Sequence, residues 1–157
     1  MADINFQDNH IQVIKAIGDA INAFLEESAG ELESQAMRNT RVDMGQTKGA
    51  WGHMVDESKH EAVVGNTLEN AIWEEFGTGE YALKGDGRKG AWYVPVDKVV
   101  GKKKPSYNGK VVIVYGKNKM KYYKTNGKRP SKAFTKAKQT CQPKIIQAAK
   151  NKFGGIQ

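Results

Sequence analysis

Glu75-Phe76-Gly77-Thr78-Gly79 places two glycines around a threonine, directly after an acidic and an aromatic residue. Glycine at this density suits neither a helix nor a smooth strand, so the segment predicts a tight turn or a close approach of the backbone to another surface. A nucleotide-binding loop needs either G-x-G-x-x-G opening a helix or G-x-x-x-x-G-K-[ST], and this segment has neither pattern. The glycines therefore indicate a structural contact.

A long amphipathic helix is predicted before this segment, from about Asp8 to Met37. Its apolar residues recur every three to four positions, with acidic residues between them, so its outer face is acidic. Gly30 marks a possible bend or a break into two helices, because glycine weakens a helix by about 1 kcal/mol relative to alanine. The apolar positions are Ile14, Ile17, Ile21, Phe24, Leu25 and Leu32.

The remaining pattern predicts antiparallel strands and a second helix. A candidate hairpin consists of Trp51 to Ser58 and Ala62 to Gly65. Residues 67–76 fit either a short helix or an irregular strand. Within them, core packing is the favoured role of Trp73 and Phe76. Lys84 to Gly90 and Lys102 to Ser106 are predicted loops. Further candidates are an edge strand at Trp92 to Val96, which contains Pro95, and a hairpin from Val111 to Tyr115 and Met120 to Lys124.

The last predicted helix runs from Ser131 to Phe153, where Pro143 indicates a kink or two short helices. Its apolar stripe includes Cys141, which we interpret as a small buried hydrophobic residue. The sequence thus predicts an α+β fold, with an antiparallel sheet covered by the long N-terminal helix and a C-terminal helix at its end. The expected parts are the helix at 1–40, the sheet with basic loops at 50–125 and the helix at 131–153.

Composition favours one domain over residues 1–157, since 157 residues with 39% hydrophobic content can form one core but hardly two. The single cysteine excludes an intramolecular disulfide, and folding in a reducing cytoplasm is expected. The N-terminus does not resemble a secretion signal, and no apolar run approaches the roughly 20 residues of a membrane span.

Charge is divided unequally along the chain. Residues 1–83 hold 5 Lys/Arg and 15 Asp/Glu, a net −10, whereas residues 84–157 hold 20 Lys/Arg and 2 Asp/Glu, a net +18, which together give +8. Three interpretations remain open: lysines that only keep the surface soluble, a basic face beside nucleic acid, and head-to-tail docking of an acidic half on a neighbour's basic half.

Residue types for catalysis are scarce, so we do not expect an enzyme, a metal site or a cofactor. The three histidines form no H-E-x-x-H motif, and no G-x-S-x-G nucleophile motif occurs. Glu74 and Glu75 are adjacent carboxylates, but neighbouring side chains point in different directions on a helix or a strand. They are not expected to converge on one substrate.

Lysines alternate with aromatic residues between Trp92 and Lys124, a mixture typical of non-specific nucleic-acid contact. Tyr122 and Tyr123 would point to opposite faces of a strand, so only one of them can join a stacking surface. The candidate DNA-facing or interface residues are Lys102, Lys103, Lys104, Lys117, Lys119, Lys121 and Lys124.

The order of the glycine and aromatic motifs resembles the neck, or minor tail component, family of long-tailed double-stranded-DNA phages. The resemblance covers roughly residues 30–150 and departs from the family pattern at Met44, where threonine is usual, and after Pro130, where a second proline is usual. The family-motif residues are Asp43, Gly45, Gly49, Trp51, Glu75, Phe76, Gly77, Thr78, Gly79, Gly90, Trp92, Pro130 and Phe134.

The resemblance implies a virion structural protein of the head-to-tail junction, made in the host cytoplasm, which completes the neck or tail as a ring of six- or twelve-fold symmetry. The implied partners are other copies of the chain, head-completion proteins, tail-tube or tail-terminator proteins, and phage DNA that passes through without sequence-specific contact. An independent, non-specific nucleic-acid-binding module is the alternative.

Overall fold

The α+β prediction is confirmed by the computed structural model, which describes residues 8–42, 45–96, 112–115 and 120–154. Asp43, Lys102, Lys103, Lys104, Lys117 and Lys119 lie outside the described residues, as does the predicted loop at 102–106. The elements in chain order are α1 (His10–Asn39), α2 (Gln46–Gly49), β1 (Trp51–Asp56), β2 (Glu61–Asn66), α3 (Ala71–Phe76), β3 (Trp92–Pro95), β4 (Val112–Tyr115), β5 (Lys121–Thr125) and α4 (Ala133–Phe153).

Helix α1 runs unbroken from His10 to Asn39, so the break into two helices suggested by Gly30 does not occur. Its C-terminal two thirds pack against the first hairpin and α4, while the first turns extend beyond them and leave Ile14 exposed. The helix ends at Thr40, whose hydroxyl donates to the carbonyl oxygen of Ala36 at 2.7 Å.

The antiparallel strands of the described residues form two sheets, whereas the sequence predicted one. Strands β1 and β2 make the predicted hairpin, and α1 covers one of its faces. The other sheet has the order β3-β5-β4, with Pro95 on an edge strand as predicted. After β2 the chain enters α3 and the glycine motif instead of returning along the hairpin, which separates the two sheets.

Helices α1 and α4 pack antiparallel along their length. Phe24 meets Phe153 edge-on, with ring centroids 5.5 Å apart, and Asn39 at the other end donates to the carbonyl oxygen of Ala133 at 3.1 Å. Between these contacts the buried residues are small, which lets the helix backbones approach closely. They are Ala29, Ala36, Ala133, Ala137 and Cys141.

Helix α4 has the predicted apolar stripe, and Cys141 lies buried on it as a free thiol. Burial raises the pKa of this thiol, which disfavours the reactive thiolate. The chain remains helical through Pro143, so the two short helices that this proline suggested are not formed.

Candidate functional site

The glycine motif packs against a second motif segment near the start of α4. The Thr78 N–H donates to the Lys128 carbonyl and the Glu80 N–H donates to the Asn126 carbonyl, both at 2.9 Å. The Lys128 N–H in turn donates to the Thr78 hydroxyl at 2.9 Å. We call residues 77–80 and 126–131, joined in this way, the glycine junction.

Glycine is required at the junction for both backbone angle and space. Gly77 and Gly79 have φ of +76° and +61°, in the left-handed region. A β-carbon on Gly79 would lie 2.2 Å from the Asn126 carbonyl oxygen and 2.6 Å from the Trp92 ring. A β-carbon on Gly127 would lie 2.1 Å from the Thr78 carbonyl oxygen. The close approach predicted from the sequence is therefore present in the fold.

The carboxylate of Glu75 caps the N-terminus of α4. It accepts hydrogen bonds from the backbone N–H groups of Phe134 and Thr135, each at 2.9 Å, and from the Thr135 hydroxyl at 2.6 Å. Lys132, the N-cap residue directly before this helix, has φ +56° and supplies no side-chain cap. A negative charge at a helix N-terminus is favourable, so Glu75 serves α4 from a distant part of the chain.

Glu74 has different partners from its neighbour Glu75. Its carboxylate pairs with the Lys128 ammonium, and its carbonyl oxygen accepts the Ser131 N–H at 2.7 Å and the Ser131 hydroxyl at 2.9 Å. The two carboxylates therefore face separate structural contacts, in agreement with the sequence interpretation that they do not converge.

Two aromatic motif residues, Trp51 and Phe134, connect this region to α1. Their rings stack with centroids 5.6 Å apart and planes 10° apart. The Trp51 indole N–H donates to the Thr40 hydroxyl at 2.8 Å, and the Arg41 guanidinium donates to the carbonyls of Arg129 and Pro130 at 3.3 Å. Thr40 and Arg41 were missed by sequence reasoning, because neither carries a local signal of these long-range contacts.

Glu80 joins the loop before β3 to the junction. Its carboxylate accepts the Gly90 N–H at 3.1 Å and the Asn126 amide at 2.9 Å. Gly85-Asp86-Gly87-Arg88-Lys89-Gly90 has the spacing G-x-G-x-x-G but leads into strand β3, so it presents no helix N-terminus to a phosphate. Sequence reasoning also missed Glu80, which is an ordinary surface glutamate in its local pattern.

The core role expected for Trp73 and Phe76 is wrong for Trp73, whose surface is 57% exposed, and only partial for Phe76, which is 39% exposed. Helix α3 is short, so it buries only one narrow side. Two shallow grooves flank it, with volumes of about 350 and 550 Å³, and both include Ile72 and Phe76. The motif residue Phe76 therefore stands on a surface ridge, where the Lys84 ammonium lies 5.6 Å from its ring centroid.

Gly45 precedes the short helix α2 and Gly49 is its last residue. A β-carbon on either would meet nothing within 4 Å, and only Gly45 has positive φ, +80°. The local turn thus accounts for glycine at Gly45, whereas nothing in the described structure requires glycine at Gly49.

The two described candidate lysines, Lys121 and Lys124, leave β5 on opposite faces, because they are an odd number of residues apart. Lys124 shares its face with Tyr93 and Tyr122, whereas Tyr123 is buried on the other face. Tyr122 and Tyr123 separate as the sequence predicted, and the face with Tyr93, Tyr122 and Lys124 is the basic aromatic one.

In the part of the chain that the structure describes, no group of three or more His, Cys, Asp or Glu side chains is placed to hold a metal ion. His53 is the most strongly engaged histidine: its Nδ1 lies 2.5 Å from a Glu33 oxygen and its Nε2 lies 3.1 Å from a Glu26 oxygen. These carboxylates, Glu33 first, raise the pKa of His53. The arrangement joins β1 to α1.

Comparisons with known protein families, curated proteins and solved structures find no match for this chain. Across the described ranges, no helix combines the length and the apolar character that a membrane crossing requires.

Proposed function

We propose that this protein is a virion structural protein of the head-to-tail junction in a long-tailed double-stranded-DNA phage. It completes the neck or tail as a ring that joins head to tail and lets DNA pass. The proposal extends the resemblance of the motifs to the neck family.

The observation that carries the proposal is that motif segments far apart in the sequence pack on one another. Gly79 lies against Trp92, Glu75 caps the helix that holds Phe134, and Phe134 stacks on Trp51. Residues that support each other in three dimensions form one structural unit. Such convergence favours a shared fold over a chance collection of short motifs.

The surface of the subunit also supports assembly. Among the described residues, the largest side chain that is almost fully buried is the small thiol of Cys141, while many larger apolar residues are exposed. A small subunit with this distribution gains stability when neighbours cover its apolar surface. The most exposed of these residues are Ile11, Ile14, Val42, Met54, Val63 and Tyr115.

The unequal charge of the two halves is partly matched inside one chain. The Lys144 ammonium lies 3.2 Å from a Glu31 oxygen between α4 and α1, and Lys128 pairs with Glu74. Head-to-tail docking must therefore use the faces of these elements that point away from the contact. The remaining positive charge is available to DNA or to neighbouring proteins of the junction.

The proposal is tested by removing the gene from a phage that encodes it and examining the particles. We expect heads and tails to accumulate separately, the wild-type protein to be found at the junction of complemented particles, and complementation to fail with Gly79→Val. Gly85→Val is the matched control, because Gly85 has a similar positive φ but a β-carbon there meets nothing within 4 Å. Normal virions without the protein would contradict the proposal.

An independent nucleic-acid-binding module is the second candidate, favoured by the face that carries Tyr93, Tyr122 and Lys124. Aromatic rings and a lysine on one sheet face suit stacking and phosphate contact. Size-exclusion mass with and without DNA separates the candidates: a ring forms without DNA, whereas the module stays small until DNA is added.

A further inference from the structure

The outer face of the first hairpin, opposite α1, is apolar and exposed. Met54 and Val63 are paired across the two strands, and their surfaces are 71% and 64% exposed. His53, the neighbour of Met54, points the other way and contacts α1. Strand alternation therefore directs Met54 and Val63 away from the subunit.

The same face carries two directly opposed glycines, Gly52 and Gly65. A β-carbon on either would meet nothing within 4 Å, and neither has positive φ. Glycine inside a strand is destabilising relative to alanine, and nothing in the described part of the subunit requires it here. What the pair provides is a flat surface on which another molecule can approach the backbone closely.

An acidic pair, Asp56 and Glu61, lies at the other end of this face. Directly opposed like charges destabilise a strand pair. Hydrogen bonds from the Ser58 hydroxyl and from Lys59, whose ammonium lies 3.1 Å from the carboxylate, hold the pKa of Asp56 below its usual range. Asp56 is therefore paired within its own turn, and Glu61 is the carboxylate that a basic partner can meet. The face is thus flat and apolar with an acidic end, and it suits a partner that is apolar and basic.

Helix α4 offers a surface of this kind on the side opposite its buried stripe. Ile146 is 47% exposed, and Pro143 and two exposed lysines lie on the same face of the helix. We call this surface the α4 ridge. The ridge consists of Lys136, Pro143, Ile146 and Lys150. Counted from Lys136, the other three residues follow after 7, 10 and 14 positions, a spacing that places all four on one face of a helix.

We propose that the outer hairpin face of one copy of this chain binds the α4 ridge of a second copy. Ile146 lies on the apolar and glycine pairs, and a lysine of the ridge meets Glu61. The contact joins two different surfaces, so repetition generates a ring when the rotation closes. The inference rests on the proposed ring function and identifies the surfaces that close it.

Sedimentation of the full-length protein over a range of concentrations tests this contact. We expect wild type to self-associate, and Glu61→Lys and Lys150→Glu each to weaken association about tenfold or more, since like charges at an interface are strongly unfavourable. The double variant Glu61→Lys/Lys150→Glu restores opposite charges and should recover most of the association. Raising salt from 0.1 M to 1 M shortens the Debye length from about 10 Å to about 3 Å and should weaken wild type.

Matched controls separate this contact from net charge. Glu69→Lys and Lys89→Glu make the same charge changes at exposed positions outside both surfaces and should associate like wild type. Melting curves confirm that each variant is folded. A monomer at every concentration, single variants that associate normally, a double variant that stays weak, or loss of association only with Ile14→Gln would overturn the inference.

Failure of the contact is distinguishable from failure of the proposed function. A protein that is monomeric in solution but present at the junction of particles overturns the contact alone. A protein that forms the predicted ring but is missing from particles overturns the virion role alone.

Discussion

Among single residues, Gly79 has one of the two most restricted steric environments in the glycine junction, the other being that of Gly127. The φ of Gly79 is +61°, and a β-carbon on it would collide with the Asn126 carbonyl oxygen and the Trp92 indole ring. We expect Gly79→Ala to destabilise the fold by more than the roughly 1–2 kcal/mol that left-handed backbone costs an alanine, because the neighbouring groups must also move apart. Urea denaturation of the purified protein measures the difference.

Gly85→Ala is the control for this prediction. Gly85 has φ +72°, but a β-carbon there would meet nothing within 4 Å, so the variant reports backbone angle alone. Equal destabilisation in the two variants would show that the close packing at Gly79 contributes nothing.

His53 gives a pH-dependent contribution to stability. Both ring nitrogens face carboxylates, and both can donate only when the imidazole is protonated. Its folded pKa is raised above the ordinary 6.5, so its contribution is fully present below about pH 6.5 and is lost as pH rises through the folded pKa. We expect His53→Gln to lower the urea midpoint more at pH 5.5 than at pH 8.5.

Glu33→Gln tests the cause of this pH dependence. The Glu33 carboxylate is the nearer partner of the ring and the main reason for the raised pKa. In its absence the stability difference between histidine and glutamine at position 53 should vary less with pH. An unchanged pH dependence would assign the effect to other groups.

At the scale of elements, the start of α4 depends on a side chain from α3. Glu75 supplies three hydrogen bonds to the first turn of α4, which has no side-chain cap of its own. Hydrogen bonds to charged groups contribute about 1.5–3 kcal/mol, so Glu75→Ala should destabilise the protein within that range. Thermal melting followed by helical circular dichroism is the measurement.

Two further variants refine the prediction for Glu75. Glu75→Gln keeps acceptor geometry without charge and should lose less stability than alanine. Glu69→Ala, at an exposed glutamate one residue before the N-cap of α3, should be nearly neutral. If Glu75→Ala were equally neutral, the cap would have no energetic role.

For the whole molecule, the +18 charge of residues 84–157 predicts weak DNA binding that is indifferent to sequence. The proposed ring function requires that DNA slide through the protein, which tight binding would prevent, so we expect dissociation constants of about 10⁻⁴ to 10⁻⁶ M at physiological salt. Removal of one lysine that binds a phosphate should reduce the log-log salt slope by about 0.9. Fluorescence anisotropy of a labelled duplex, with Lys124→Ala compared with wild type, measures both quantities.

Lys144→Ala is the matched control for DNA binding, because Lys144 is already paired with Glu31. Its salt slope should equal that of wild type. Nanomolar affinity with strong preference for one sequence would contradict the neck proposal and favour the independent binding module.

Local pattern was sufficient to predict most elements of the fold. Apolar residues at helical spacing identified α1 and α4, and the candidate hairpin of Trp51 to Ser58 with Ala62 to Gly65 identified β1 and β2. These signals are reliable because the period of a helix or a strand appears in the spacing of apolar residues within one short segment. The same locality explains why the break suggested at Gly30 and the division suggested at Pro143 do not occur, since either residue lowers helix propensity without deciding whether packing maintains the helix.

The sequence by itself determined the α+β class, the division of charge and the need for unusual backbone at Gly77 and Gly79. Only the tertiary structure decided that the described strands form two sheets, that Trp73 is more exposed than buried, and that Glu75 caps α4. Periodicity and glycine preference are properties of short segments, whereas sheet membership, exposure and capping depend on which distant segments pack against each other. Packing over the whole chain determines those contacts.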